Sequence, residues 1–176
     1  NNDMEIIEQD VIREMLGNCQ REDVGAVGAR LLYQDDTIQH AGVIVGLGGY
    51  AGHSHKYAKR GGSGYMFRAA TVQDLSTVTA ACLLVKAAVY DEAGGLDEDF
   101  AVAFNDVDFC LRIREKGYLN VFTPFAELYH FESASRGSDI VDESKAARYE
   151  QESALFRERW KELLAKGDPY YNPNFS

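Results

Sequence analysis

The chain has 176 residues, 45% of them hydrophobic and 11% aromatic, which suffices for one domain with a real core and excludes a disordered segment. Its formal net charge of -10 offers no overall basic field to a phosphate backbone, so the charge argues against nucleic acid as a partner and an anionic membrane repels the molecule as a whole, local basic patches aside. Cys19, Cys82 and Cys110 are odd in number and widely spaced, two of them inside apolar runs, and read as small core residues of a reducing compartment, with no disulfide framework and no CxxC metal site.

No secretory signal pattern opens the chain, and no apolar run reaches the roughly 20 residues of a membrane span. A cytoplasmic segment without a transmembrane span is the expectation. The start at Asn1-Asn2-Asp3-Met4-Glu5, with no initiating methionine, predicts a piece of a longer protein.

Val11, Ile12, Met15 and Leu16 recur at helical spacing behind Asp10 as the cap, with Gly17-Asn18 as the stop. Val24 to Tyr33 is a run of small and β-branched residues suited to a buried strand, and Thr37 to Val45 offers a second strand with His40 as a hydrogen-bonded core residue. Gly46 to Tyr65 holds seven glycines together with His53, His55, Lys56, Lys59 and Arg60. It lacks the P-loop order and predicts a mobile flap, its two histidines either clamping a metal or belonging simply to a polar loop.

Thr79 to Val85 reads as a strand and Ala87 to Ala93 as a short helix ended by Gly94-Gly95. Leu96 to Phe100 then turns into a helix over Asp106 to Lys116, with Asn105 as its cap. Asp106 falls on the same helical face as Phe109, Cys110 and Ile113 and is expected half-buried at the helix mouth, the position of a general base. Asp108 points away and pairs with Arg112 in an ordinary solvated i,i+4 arrangement. Leu119 to Thr123 predicts a strand ending at Pro124. Ala126 to Glu132 predicts another, with His130 at its end before the polar run Ser133 to Gly137. Ser138 to Lys166 predicts one long amphipathic helix with Tyr149, Phe156, Trp160, Leu163 and Leu164 on its apolar side, followed by an extended tail.

Taken in order, Thr79-Ala80-Ala81-Cys82-Leu83-Leu84-Val85-Lys86, Gly94-Gly95-Leu96-Asp97-Glu98-Asp99-Phe100, the Asn105 to Arg112 segment, Lys116-Gly117-Tyr118 and His130 resemble the C-terminal half of family 2 glycosyltransferases of the GT-A fold, of the rhamnosyltransferase-like kind. The resemblance runs over most of residues 1 to 136. It implies an α/β domain, a mixed sheet flanked by helices with a long C-terminal helix, and a single unit spanning residues 1 to 176 that lacks the N-terminal nucleotide-binding half. Asn1-Asn2-Asp3 resembles the family's D-x-D metal motif in an N-x-D form.

What the resemblance implies for chemistry is an inverting transfer of sugar from a nucleotide-diphosphate donor to a saccharide or lipid-linked acceptor, at the inner face of the membrane in the longer protein. Asp106 would be the catalytic base. Asp3 and His130 would hold Mg²⁺ or Mn²⁺, Ser133, Ser135 and Arg136 would bind phosphate oxygens, and Thr79, Ala80 and Asn105 would lie at the acceptor. Asn1 departs from the metal motif, and Asn105 stands where many relatives have Glu. The isolated segment is expected to turn over little, and an open sheet edge predicts homodimerisation. Two other classes remain open: a carbohydrate-binding module using the aromatics as platforms, and a metal-dependent phosphate-ester hydrolase with Asp3, Asp106 and His130 as ligands.

Overall fold

The computed structural model describes residues 2–131 and 143–175. At its centre two long strands run parallel, β2 (Val24–Leu32) beside β8 (Leu119–His130), paired from Val24 opposite Leu119 to Leu32 opposite Tyr129 with two register shifts between. Small and branched side chains let β2 be buried on both faces, as a strand covered by helices on either side must be. Shorter strands flank the pair antiparallel. β3 (Ile38–His40) and β7 (Leu83–Val85) bond to β2, and β1 (Met4–Ile6) and β6 (Gln73–Leu75) bond to β8. The sheet is therefore mixed, flanked by helices, and compatible with part of a GT-A fold.

One face is covered by α1 (Val11–Cys19), which packs Val11, Met15 and Cys19 on Val27, Leu31, Val121 and Leu128. The opposite face carries α2 (Ala87–Glu92) and α3 (Asn105–Glu115), whose Val89, Phe109 and Ile113 pack on Ala26 while Cys110 meets Leu32 and Phe122. A separate hairpin, β4 (Val43–Val45) with β5 (Ala51–His53), joins a third cluster with Val107 and Leu111 of α3 and Phe156 and Trp160 of the C-terminal helices. Those helices are α4 (Glu143–Arg159) and α5 (Lys161–Lys166), broken at Trp160 rather than continuous.

Several local expectations are corrected by tertiary pairing. α1 runs through Gly17 and Asn18 to Cys19, because the Asn18 side chain donates to the Glu14 carbonyl (3.1 Å) instead of ending the helix. Ile12 and Leu16 are exposed. Thr37 to Val45 is two strands, parted at Gly42, where φ of 97° breaks the ladder. Thr79 to Val85 begins as a 3-10 turn over Ala80–Cys82 and becomes strand only from Leu83. Pro124 does not end a strand. β8 continues past it, with a register shift between Ala29/Arg30 of β2 that absorbs the residue lacking an N–H. Gly46 to Tyr65 is built into the domain by the β4–β5 hairpin and by backbone bonds such as Ile38 N–H to the Ala58 carbonyl (2.7 Å). In the tail, Asp168 is buried and accepts from Val45 N–H (2.8 Å) and Ser76 Oγ (2.7 Å).

Candidate active site

Antiparallel pairing of β1 along the end of β8 sets Met4 opposite His130 and so brings Asp3 beside the histidine. His130 Nε2 lies 3.5 Å from Asp3 Oδ1, and Phe131 N–H donates to the Asp3 carbonyl at 2.9 Å. His130 Nδ1 meets Gln39 Oε1 at 2.7 Å. An amide oxygen only accepts, so Nδ1 donates to Gln39 and Nε2 is the ring nitrogen turned to the Asp3 carboxylate. A ring nitrogen and a carboxylate oxygen at this separation can share a proton or a cation. Asp3 Oδ1 is also buried and accepts no hydrogen bond among the described residues. A ligating histidine whose other nitrogen is fixed by a neighbour is the usual arrangement at metal sites, so the pair fits a divalent ion. Asp3, His130 and Gln39 gather where the parallel strands β2 and β8 reach their carboxyl ends, the side on which open α/β sheets bind ligands.

Asp106 lies in the first turn of α3, half-buried. Its Oδ2 accepts Ala80 N–H at 2.9 Å and its Oδ1 accepts Val107 N–H at 2.8 Å. Thr79 precedes this contact, its hydroxyl accepting from Ala81 N–H at 3.3 Å as the cap of the 3-10 turn. Thr79, Ala80, Asn105 and Asp106 therefore share one locus. Asn105 is the first helical residue and does not cap. The position before it is Phe104, in the left-handed region at φ 63°. That strained turn is held from α4: Glu152, buried, accepts Ala103 N–H at 2.5 Å, and the Phe104 ring stacks on Phe156 with centroids 4.9 Å apart.

Asp108 corrects a sequence expectation. It is fully buried, and Arg112 Nε (2.8 Å), Arg159 (3.1 Å) and Trp160 Nε1 (3.0 Å) all donate to its carboxylate. The i,i+4 partner is as expected, but α4 and the α4–α5 junction bury the carboxylate itself. It ties the C-terminal helices to α3.

His40 was legible as a core residue, whereas its connections were not. Its Nε2 accepts from Gly42 N–H (3.3 Å) and Thr79 N–H (3.5 Å), so Nδ1 bears the hydrogen and reaches His53 Nδ1 at 2.8 Å. Burial, followed by the neighbouring His53, holds the His40 pKa well below its ordinary value. A polar line thus runs from His53 through His40 and Thr79 to the turn that touches Asp106. Arg60, of the same segment as His53, binds Glu127 (2.8 Å) and lies 3.6 Å from Asp36.

Among the described residues no three His, Cys, Asp or Glu side chains could together hold a metal ion, so Asp3, Asp106 and His130 do not form the ligand trio of the hydrolase alternative. Ser133, Ser135 and Arg136 lie outside the described residues. A cavity of about 810 Å³ borders the β4–β5 hairpin, and neither Asp3, Asp106 nor His130 lines it. Among the described residues no helix is long and apolar enough to cross a membrane.

No family model matches the chain. Over its whole length it is 49% identical to the protein y4gI of Sinorhizobium fredii and 40% identical to the O-antigen biosynthesis protein RfbC of Myxococcus xanthus. It spans only 19% and 13% of those two relatives. Over 62 residues, 35% of the chain and 20% of the relative, it is 36% identical to an N-acetylglucosaminyl-diphospho-decaprenol L-rhamnosyltransferase of Mycobacterium tuberculosis. These names point to a glycosyltransferase-like kinship.

Proposed function

We propose that the chain carries the metal, acceptor and general-base residues of an inverting glycosyltransferase that moves a sugar from a nucleotide-diphosphate donor to an acceptor hydroxyl. The observation that carries this reading is the His130–Asp3 pair, an imidazole nitrogen and a buried carboxylate oxygen meeting at the carboxyl end of a parallel strand pair. A divalent Mg²⁺ or Mn²⁺ bound there would neutralise charge on the departing diphosphate, with phosphate oxygens completing its coordination.

The remaining work falls to residues of α3 and the turn before β7. Asp106 is the base. It takes the proton from the acceptor hydroxyl as that oxygen attacks the anomeric carbon from the side opposite the diphosphate. The Ala80 N–H and the Val107 N–H of the first turn of α3 hold the carboxylate in its orientation before the reaction. Thr79 and Asn105 position the acceptor beside it. One displacement inverts the anomeric centre and needs no covalent nucleophile. The relatedness to an O-antigen biosynthesis protein supports the assembly of cell-surface saccharide as the setting.

The test is transfer by the protein carrying Asp106→Asn. Loss of a positioned general base is expected to lower the turnover number about 10²- to 10⁴-fold while donor binding stays within about threefold. Asp3→Asn is expected to weaken metal binding and raise the metal concentration needed for activity. Transfer by Asp106→Asn within threefold of the parent refutes the base assignment.

A further inference from the structure

The cavity beside the β4–β5 hairpin has a composition unlike the rest of the molecule. Of the sixteen described residues that line it none is Asp or Glu, in a chain with 28 acids against 18 Lys and Arg. Val43, Ile44, Leu47 and Leu75 give it aliphatic walls, and Arg68 supplies a fixed positive charge. Arg68 donates to the Tyr170 carbonyl at 2.9 Å and has no carboxylate partner among the described residues. His53, His55 and Ser54 add polar atoms at the same wall. Arg68 and burial both depress the His55 pKa, burial the more, so the permanent charge there is the guanidinium.

The lip of the cavity is apolar and exposed. Tyr65 is 59% and Met66 75% exposed, and Leu47 and Phe175 are also open to water. Met66 and the next residue, Phe67, both take left-handed backbone at φ 51° and 61°, with His55 at 57°. Consecutive non-glycine residues in that region are strained, and here the strain turns large apolar side chains outward instead of burying them. An exposed apolar lip, strained backbone and an acid-free wall with one cation coincide at a volume of about 810 Å³, inside the range of about 300–1,000 Å³ usual for small-molecule sites.

We propose that this cavity binds an amphipathic anion: an alkyl or prenyl chain lies along the aliphatic wall and its phosphate or carboxylate head meets Arg68. A free neutral saccharide suits the site poorly, because no wall carboxylate receives its hydroxyl protons. The wall reaches the Asp106 locus through His53, His40 and Thr79. That the bound molecule is part of a sugar acceptor rests on the transferase reading; that the cavity binds it does not.

The experiment is calorimetric titration of the protein with dodecyl phosphate, dodecanoate and dodecanol below their aggregation concentrations, with amide chemical shifts locating the site. Saturable one-to-one binding of either anion is expected, at least tenfold tighter than dodecanol. Arg68→Gln and, at an exposed position that leaves the core untouched, Leu47→Glu are each expected to weaken it at least tenfold. Asp106→Asn is expected to leave it unchanged, so binding survives even where the transferase reading fails. A tenfold preference for dodecyl phosphate assigns a lipid phosphate and the reverse preference a fatty carboxylate, either one supporting the site. No saturable binding, equal binding of dodecanol, or binding undiminished in both variants overturns it.

Discussion

Replacing Asp108 by Ala tests how the C-terminal helices are fixed to the domain. The carboxylate is fully buried, and removing it leaves the Trp160 indole N–H and two guanidinium groups without their acceptor. Breaking a buried ion pair costs about 3–5 kcal/mol. The two arginine side chains keep 21% and 29% of their exposure, so water recovers part of the loss and the lower end, about 3 kcal/mol, is expected. For a domain of this size that is a fall in Tm of about 6–12 °C. Urea titration and thermal unfolding followed by Trp160 fluorescence measure it, and the fluorescence change should report release of α5 as well as global unfolding. If Asp108 were the solvated i,i+4 partner that spacing alone suggests, the cost would stay near 0.3–0.5 kcal/mol, to order of magnitude. A measured loss below about 1 kcal/mol refutes the buried tie.

Other outcomes follow from the packing. Gly28→Ala would set a Cβ 2.5 Å from the Val78 Cβ, a backbone-anchored atom that cannot swing away, so a loss of about 1–3 kcal/mol is expected in urea titration with the slope unchanged. His40 is held neutral in the fold, while in the unfolded chain it binds a proton near its ordinary value of about 6.5. The unfolded state therefore binds more protons below that value, and stability is full above it and lost as pH falls. From pH 7.5 to 5.5 His40 alone accounts for about 1.4 kcal/mol. In His40→Gln this part of the pH dependence should disappear, leaving the smaller contribution of His55, whose pKa is also lowered; an unchanged pH profile contradicts a buried neutral His40.

Several regular elements were readable in advance, and the reasons differ from element to element. Val24 to Leu32 could be read as a strand because small and branched residues in an unbroken run suit burial on both faces, and Asn105 to Glu115 as a helix because its apolar positions recur at helical spacing. The cap was misplaced because a left-handed Phe104 is stabilised by rings and a carboxylate from α4, about which local propensity carries no information. The proline at 124 misled in the same manner: only pairing with β2 shows that a bulge absorbs it.

By itself the sequence determined the longest regular segments, the strand at β2 and the helices at α1 and α3, where a carboxylate begins α3, and that His40 belongs inside. Tertiary structure decided what those groups face. Antiparallel pairing put Asp3 against His130, the α3–α5 contact buried Asp108, and the hairpin set an acid-free cavity beside the His53–His40 pair. Periodicity is written in neighbours a few positions apart. Charge environment, burial and cavity shape are sums over residues from many parts of the chain, and they exist only once it has folded.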